Sequence, residues 1–305
     1  MGRKGCFLIF EQMRSLEQDL TFLSAKTEFD ESNIPFKEKN LGIQNQDGIY
    51  TNLGLLLSGQ CKHTIKVAVF NGEKQSEFQD RNEFAGSLFK QMHEVYSYID
   101  FRNQKHSNFS ELKRIDKRDY PEVAIREALL NLIVHREYSY SASSFIRMYT
   151  DRFEFTSIGG LLKGITLEDI QLGISVCRNP KLANIFYRLE LIEAYGTGIQ
   201  KILDSYSGSE FKPQFVTIEN AFKVILPNLN HPKKNSKIQE ELVIYDCPEN
   251  KILEFAKAHT QFNRKDVQDT FNLSQTTCGR ILSRMKEEGQ ISQHGKGKNT
   301  FYVLK

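Results

Sequence analysis

The amino-acid sequence predicts an α+β protein: an α/β sandwich built on a mixed sheet with helices on one face, followed by a C-terminal winged-helix domain. Three observations carry this expectation. An apolar stripe at helical spacing runs from Pro121 to Arg136 and leads into a strand, a Thr150-Asp151 turn and a second strand. The polar stretch from Asn228 to Lys237, which contains Pro232, separates two periodic regions and reads as a linker. Beyond it, capped helical patterns precede two short apolar runs.

Composition sets the outer limits. At roughly 150 residues per domain, 305 residues allow two or three domains. With 39% hydrophobic and 26% charged residues, global disorder is excluded. The longest apolar stretches, such as Leu53 to Leu57, fall far short of the roughly 20 residues a bilayer helix needs, so no membrane role is expected. The start, MGRKGCFLIFEQ, is too short in its apolar part for a secretory signal, and a cytoplasmic location is the expectation. Five scattered cysteines give neither a disulfide framework nor zinc spacing. The net charge of +3 is uneven: from His231 onward 13 Lys and Arg face 9 Asp and Glu, so the tail carries the cationic excess and suits a polyanion.

The chain divides into blocks at about 1–115, 116–230 and 236–305, the first break resting on the charged RIDKRDYP run before Pro121. In the first block, Tyr50 to Leu57 reads as the opening of a buried helix and Ile65 to Phe70 as a strand. Asn82 reads as the cap of a helix through Phe84, Leu88, Met92 and Tyr96. Before residue 45 the pattern is poor.

The middle block carries the chemistry. Ile125, Leu129, Leu132 and Ile133 define a core face, and Glu127, Asn131 and His135 form one polar row beside it. An Asn oxygen suits Mg2+, and a Glu one turn away can orient or deprotonate water; a solvated helix flank is the bland reading of the same pair. Ser144 to Tyr149 and Arg152 to Thr156 form the hairpin pattern, and Ser157-Ile-Gly159-Gly160-Leu161 follows at once, where paired glycines admit close backbone approach. Tyr195-Gly196-Thr197-Gly198 then opens a helix whose free N–H groups suit phosphate. Gln214 to Ile218 and Ala221 to Leu226 read as closing strands.

This order of Glu/Asn helix, hairpin, first glycine segment, lid and second glycine segment resembles the Bergerat nucleotide-binding fold of gyrase, heat-shock chaperone ATPases, histidine kinases and mismatch-repair ATPases. Arg126 to Ser139, Gly159 to Leu161, Ser175 to Pro180, Leu191 to Glu193 and Gly196 to Ile199 together resemble more closely the bacterial "ATP-dependent DNA helicase-related" transcriptional regulators. The resemblance implies a divergent ATPase domain with a C-terminal helix-turn-helix. It also implies a Schlafen/AlbA-type domain ahead of them, to which the first block, an N-terminal α/β region, reads as the remnant of a link. It implies that Asn131 holds Mg2+, Glu127 activates water, and Gly196, Thr197 and Gly198 cradle the phosphates of ATP, with Arg178, Asn179 and Lys181 in the lid. His135, Ser157, Gly159 and Gly160 complete the expected nucleotide contacts. Ser157 stands where the superfamily has an adenine-reading Asp, and Gly159-Gly160 replaces alternate glycines. No Gly-Lys-Ser or Gly-Lys-Thr occurs, so the P-loop of a helicase motor is missing.

In the last block, Pro248 opens a helix through Ile252, Phe255 and Ala256, Asn263 caps a second, and Ser274 caps a third over Gln275 to Glu288. Cys278, Ile281, Leu282 and Met285 are its buried stripe. Gln275, Thr276, Thr277, Arg280 and Arg284 would meet double-stranded DNA, with Lys296 and Lys298 on a basic wing. A protein-contact module is the alternative. The expected function is a DNA-binding transcriptional regulator whose ATP-binding domain gates DNA binding. A weak ATPase using Glu127 and Asn131 and a non-nucleotide interaction module are the alternatives. A homodimer would match palindromic sites.

Overall fold

The computed structural model describes residues 10–110, 113–193, 195–231, 252, 255–257, 259, 261–271, 274–287, 289–295 and 300–304. The chain forms two compact units, Met1–Lys234 and Asn235–Lys305.

The first unit is built on a six-stranded sheet in the order β2-β1-β5-β6-β8-β7. Its strands are β1 (Ile65–Phe70), β2 (Phe78–Phe84), β5 (Ser144–Met148), β6 (Arg152–Ile158), β7 (Gln214–Ile218) and β8 (Ala221–Pro227). β1 and β5 run parallel and all other neighbours antiparallel, so the sheet is mixed. Period-2 alternation decides its faces. Ile146, Met148, Phe153, Phe155, Val224 and Leu226 point into the core. On the other face Glu154 accepts from Arg152 (2.8 Å) and Lys223 (3.0 Å).

Helices α4 (Leu88–Arg102) and α5 (Glu122–Val134) cover the apolar face, and α8 (Gly198–Ser205) packs on α5. α5 buries nine residues, among them Ile125, Leu129, Leu132 and Ile133 as the sequence stripe predicts. α3 (Asn52–Leu57) is capped by Thr51, whose side chain accepts from the Gly54 N–H.

Three differences from the sequence reading have physical causes. The first two blocks are one unit: β1 from the first pairs with β5 from the second, and both contribute to one continuous core. Arg136, only 2% exposed, reinforces the join by donating to Thr64 O (3.0 Å) in the first block and to Ala142 O in the second. Asn82 does not cap a helix. It sits in β2 opposite Val67, and α4 starts after Ser87. Before residue 45, α1 (Leu23–Glu31) and α2 (Glu38–Leu41) give Ala25, Phe29 and Leu41 to the core.

Phe10–Gln12 forms a 3-10 turn whose Glu11, fully buried, accepts from the Lys181 N–H (2.8 Å) and the Leu182 N–H (2.9 Å) at the start of α7 (Pro180–Arg188). A carboxylate there satisfies two N–H groups that the helix itself leaves open. Between α4 and α5, β3 (Lys105–Ser110) and β4 (Lys113–Arg118) make a separate two-stranded sheet.

In the second unit, α9 (Arg264–Phe271) and α10 (Gln275–Glu287) precede an antiparallel pair, β9 (Ile291–His294) and β10 (Phe301–Leu304). Asn263 accepts from the Lys265 and Asp266 N–H groups, and Asp266 accepts from the Asn263 N–H, which fixes the start of α9. Cys278, Ile281, Leu282 and Met285 are buried with Val267 and Ile291.

Candidate functional site

A cleft with about 1090 Å³ of empty space, its mouth included, lies in the first unit between α5, the segment after β6, the stretch 161–178 and the start of α8. The packing of α8 on α5 builds its floor. Glu127, Asn131 and His135 all line it, as do Thr197 and Gly198. A Cβ at Gly198 would stand 3.0 Å from Glu127 Oε2 and 3.5 Å from Asn131 Nδ2, so the missing side chain is what lets the helix start meet the polar row.

The buried Nδ2 of Asn131 has no hydrogen-bond partner among the described residues. A buried amide left unpaired costs about 1–3 kcal/mol, which a ligand would recover. A half-turn of the carboxamide puts its oxygen in the same place. Glu127 is held by Arg126, whose Nη1 donates to Oε1 (2.6 Å) while Nη2 donates to Leu191 O (2.5 Å). That arrangement turns Oε2 toward Gly198. Burial, with Arg178 nearby, pushes the His135 imidazole down to about 4, so the ring is neutral at pH 7.

α8 begins without a side-chain cap, because the hydroxyl of Thr197 donates instead to Glu193 Oε2 (2.9 Å). Open N–H groups therefore face the cleft at the positive end of a helix dipole. Lys201 lines the cleft one turn further on and pairs with Glu193 Oε1 (2.5 Å). The walls are apolar, with Leu130, Val134, Ile165, Ile174, Ile199 and Phe222. Ser157, 4% exposed, also lines the cleft, and its hydroxyl donates only a long bond to Phe222 O (3.4 Å).

The remaining expected residues divide. Gly159 and Gly160 reach the cleft, but a Cβ on Gly160 would fall 2.1 Å from Ile218 O, so its smallness serves the β7–β8 turn rather than a ligand. Gly196, at φ +67°, lies against the stretch 161–178, where a Cβ would approach Gly173 O to 2.4 Å. Arg178 lines the cleft with its guanidinium already engaged, donating to Glu137 Oε2 (2.7 Å) and Gly160 O (2.8 Å). Asn179 is buried and donates to Val134 O and Arg136 O. Lys181 is not at the cleft: its N–H goes to Glu11 and its side chain lies along Gly42. The helix α7 carries it away from the cleft.

Sequence reasoning missed Arg126, Glu193 and Lys201. Arg126 and Glu193 fall inside the segments that carry the family resemblance, and Lys201 lies in the helix that the second glycine segment opens. In the second unit Gln275, Arg280 and Arg284 are exposed on α10, opposite its buried stripe. The side chains of Thr276 and Thr277, and all of Lys296 and Lys298, lie outside the described residues.

In the first unit a Glu/Asn helix row and an uncapped helix start thus share one cleft beside the mixed sheet. Residues 142–226 match a family model of helicase-related, ATPase-like sequences described as "Putative ATP-dependent DNA helicase recG C-terminal". The match spans β5 to β8 and does not include α5. No curated protein matches the chain in sequence. Among solved structures, the DIP2311 protein from Corynebacterium diphtheriae is similar over 97% of this chain, with a TM-score of 0.64 and 17% identity. This chain spans 64% of that structure's length, and the likeness is one of fold. No described helix is long and apolar enough to cross a membrane.

Proposed function

We propose that the chain is a DNA-binding regulator whose first unit binds a nucleoside triphosphate with Mg2+ and whose second unit, a winged helix, binds double-stranded DNA. The observation that carries the nucleotide half is the unpartnered, buried carboxamide of Asn131 facing Gly198 at the uncapped start of α8. In this reading Asn131 holds Mg2+ through its oxygen, and the N–H groups from Gly198 onward take phosphate oxygens. Lys201 supplies the cationic side chain at the mouth. The cation neutralises phosphate charge when bound, while neutral His135 and the apolar walls face the base and sugar.

Glu127 supports a second reading, slow hydrolysis. Its Oε2 is turned toward the phosphate end and its Oε1 is fixed by Arg126, which suits a base that orients water. The DNA half rests on the exposed Arg280 of α10 and the cationic tail. Gating requires that nucleotide bind two states of the protein with different affinity.

Thermal unfolding of the full chain with Mg-ATP tests the nucleotide half. At a hundred times Kd the expected stabilisation is about 2.7 kcal/mol, a rise in Tm of roughly 5–10 °C. An unchanged Tm across millimolar Mg-ATP and Mg-GTP sinks it. Loss of duplex binding in Arg280→Glu, with Tm unchanged, is the expected result for the DNA half.

A further inference from the structure

Among the described residues two cations line the cleft, Arg178 and Lys201, and each already has a carboxylate partner. The two pairs differ in how firmly they are held. The side chains of Arg178 and Glu137 are 19% and 22% exposed, and Arg178 also donates to Gly160 O (2.8 Å). Those of Lys201 and Glu193 are 33% and 53% exposed. An ion pair in so open a setting adds little to stability, so an arriving anion can exchange it at small cost. The ammonium of Lys201 is thus the cation that a ligand can claim, and Glu193 holds it.

Glu193 holds more than the lysine. Its Oε1 pairs with Lys201 Nζ (2.5 Å) and its Oε2 accepts from the Thr197 hydroxyl (2.9 Å), so both oxygens engage groups that line the cleft at the start of α8. Those bonds, from Lys201 first and then Thr197, hold the carboxyl below its usual range and keep it an anion at pH 7. Two residues earlier, Leu191 O accepts from Arg126 Nη2 (2.5 Å), so the chain that carries Glu193 is tied to α5 beside Glu127. A carboxylate set on a hydroxyl and an ammonium, at the positive end of a helix, makes the contacts that a phosphate would make there.

We propose that Glu193 is a resident competitor for phosphate, a carboxylate that occupies the Lys201 ammonium and the Thr197 hydroxyl and is displaced when a polyphosphate takes them. This rests on the nucleotide reading of the cleft and adds what regulates it: affinity is set by the exchange of one anion for another. Phosphate and Glu193 cannot both hold the two donors, and like charges brought together there repel. A triphosphate brings several charges against one and wins the exchange, whereas a ligand without phosphate leaves Glu193 in place. Release of Glu193 also frees the link between α7 and α8, which gives a phosphate-bound cleft a local arrangement different from the one that Glu193 holds. Such a difference is what any coupling to another site requires.

The test is isothermal titration calorimetry of the full chain with Mg-ATP, and separately with adenosine, in the parent and in Glu193→Gln, which keeps the side chain's shape and removes its charge. Glu193 is exposed, so the variant is expected to fold. Its Kd for Mg-ATP should fall about three- to tenfold at low salt, the gain should shrink as salt is added, and the adenosine response should be the same in both chains. In a Lys201→Gln background the same substitution should change Kd by less than about twofold, because the contested ammonium is gone. Equal or weaker Mg-ATP binding by Glu193→Gln overturns the proposal and leaves nucleotide binding itself standing, since Glu193 then only braces the start of α8. A gain of the same size in the Lys201→Gln background overturns it too, because the carboxylate then repels from a distance instead of occupying the donor. Absence of Mg-ATP binding in both parent and Glu193→Gln sinks the nucleotide reading, and the exchange with it.

Discussion

The two glycine segments of the cleft look alike in sequence and do different work. Gly160 is required by protein backbone, because Ile218 O and Glu219 O occupy the space a side chain would need. Gly198 is required by the polar row, because only Glu127 Oε2 and Asn131 Nδ2 stand near the missing Cβ. A small residue near a cleft is therefore no evidence of ligand contact until what it touches is known. The first segment joins the sheet's end to the β7–β8 turn, and the second joins α8 to the polar row of α5.

The largest effect should come from Gly160→Ala. A Cβ 2.1 Å from a carbonyl oxygen cannot be accommodated without moving the β7–β8 turn, so a loss of about 3 kcal/mol or more is expected. Differential scanning calorimetry would read it as a fall in Tm of roughly 6–12 °C, and a normal Tm would mean the two strands are joined otherwise.

Gly198→Ala sharpens the contrast. Alanine is the better helix former by about 1 kcal/mol, which offsets crowding of the flexible Glu127 carboxylate, so apo stability should change by under ~1 kcal/mol. The Mg-ATP-induced rise in Tm should disappear. Asn131→Ala should behave in the same way for a different reason, since it removes an unpaired buried group that is also the proposed Mg2+ ligand. A full nucleotide response in both variants would break the comparison.

Acid gives a smaller and broader effect. His135 and His63, both lowered to about 4 chiefly by burial, stay neutral in the folded protein while the unfolded chain takes up protons below about pH 6.5. The unfolded state then binds more protons, so their contribution is complete above pH 6.5 and declines as pH falls toward 4. His135→Gln should flatten part of that decline in Tm measured from pH 7 to pH 4.5. An identical pH profile would mean that His135 is charged in the folded chain.

Much of this architecture can be read from local pattern. β1, α5, the β5–β6 hairpin, β7 and β8 follow from alternation and helical periodicity, because each element's burial is decided by its own sheet face or helix stripe. Glu127, Asn131 and Gly198 line one cleft, as helical spacing suggests for the first two and the small-residue turn Gly196-Thr197-Gly198 for the third. What escaped is long-range. The parallel pairing of β1 with β5, which dissolves the break near residue 115, depends on partners some 80 positions apart in the chain. The span before residue 45 has short helices whose stripes are too brief to register. Lys181 went astray because nothing local reveals that Glu11 claims the start of α7. β4 shows in the sequence only as part of a charged run, which reads as a boundary.

That clasp has a mechanical consequence. Glu11 grips the first N–H groups of α7 only three and four residues past Arg178, which in turn braces the first glycine segment. The turn at Phe10–Gln12 and the roof of the cleft are thus coupled in series, so force applied at Phe10 would reach the roof through a handful of bonds without first stretching a strand of the sheet.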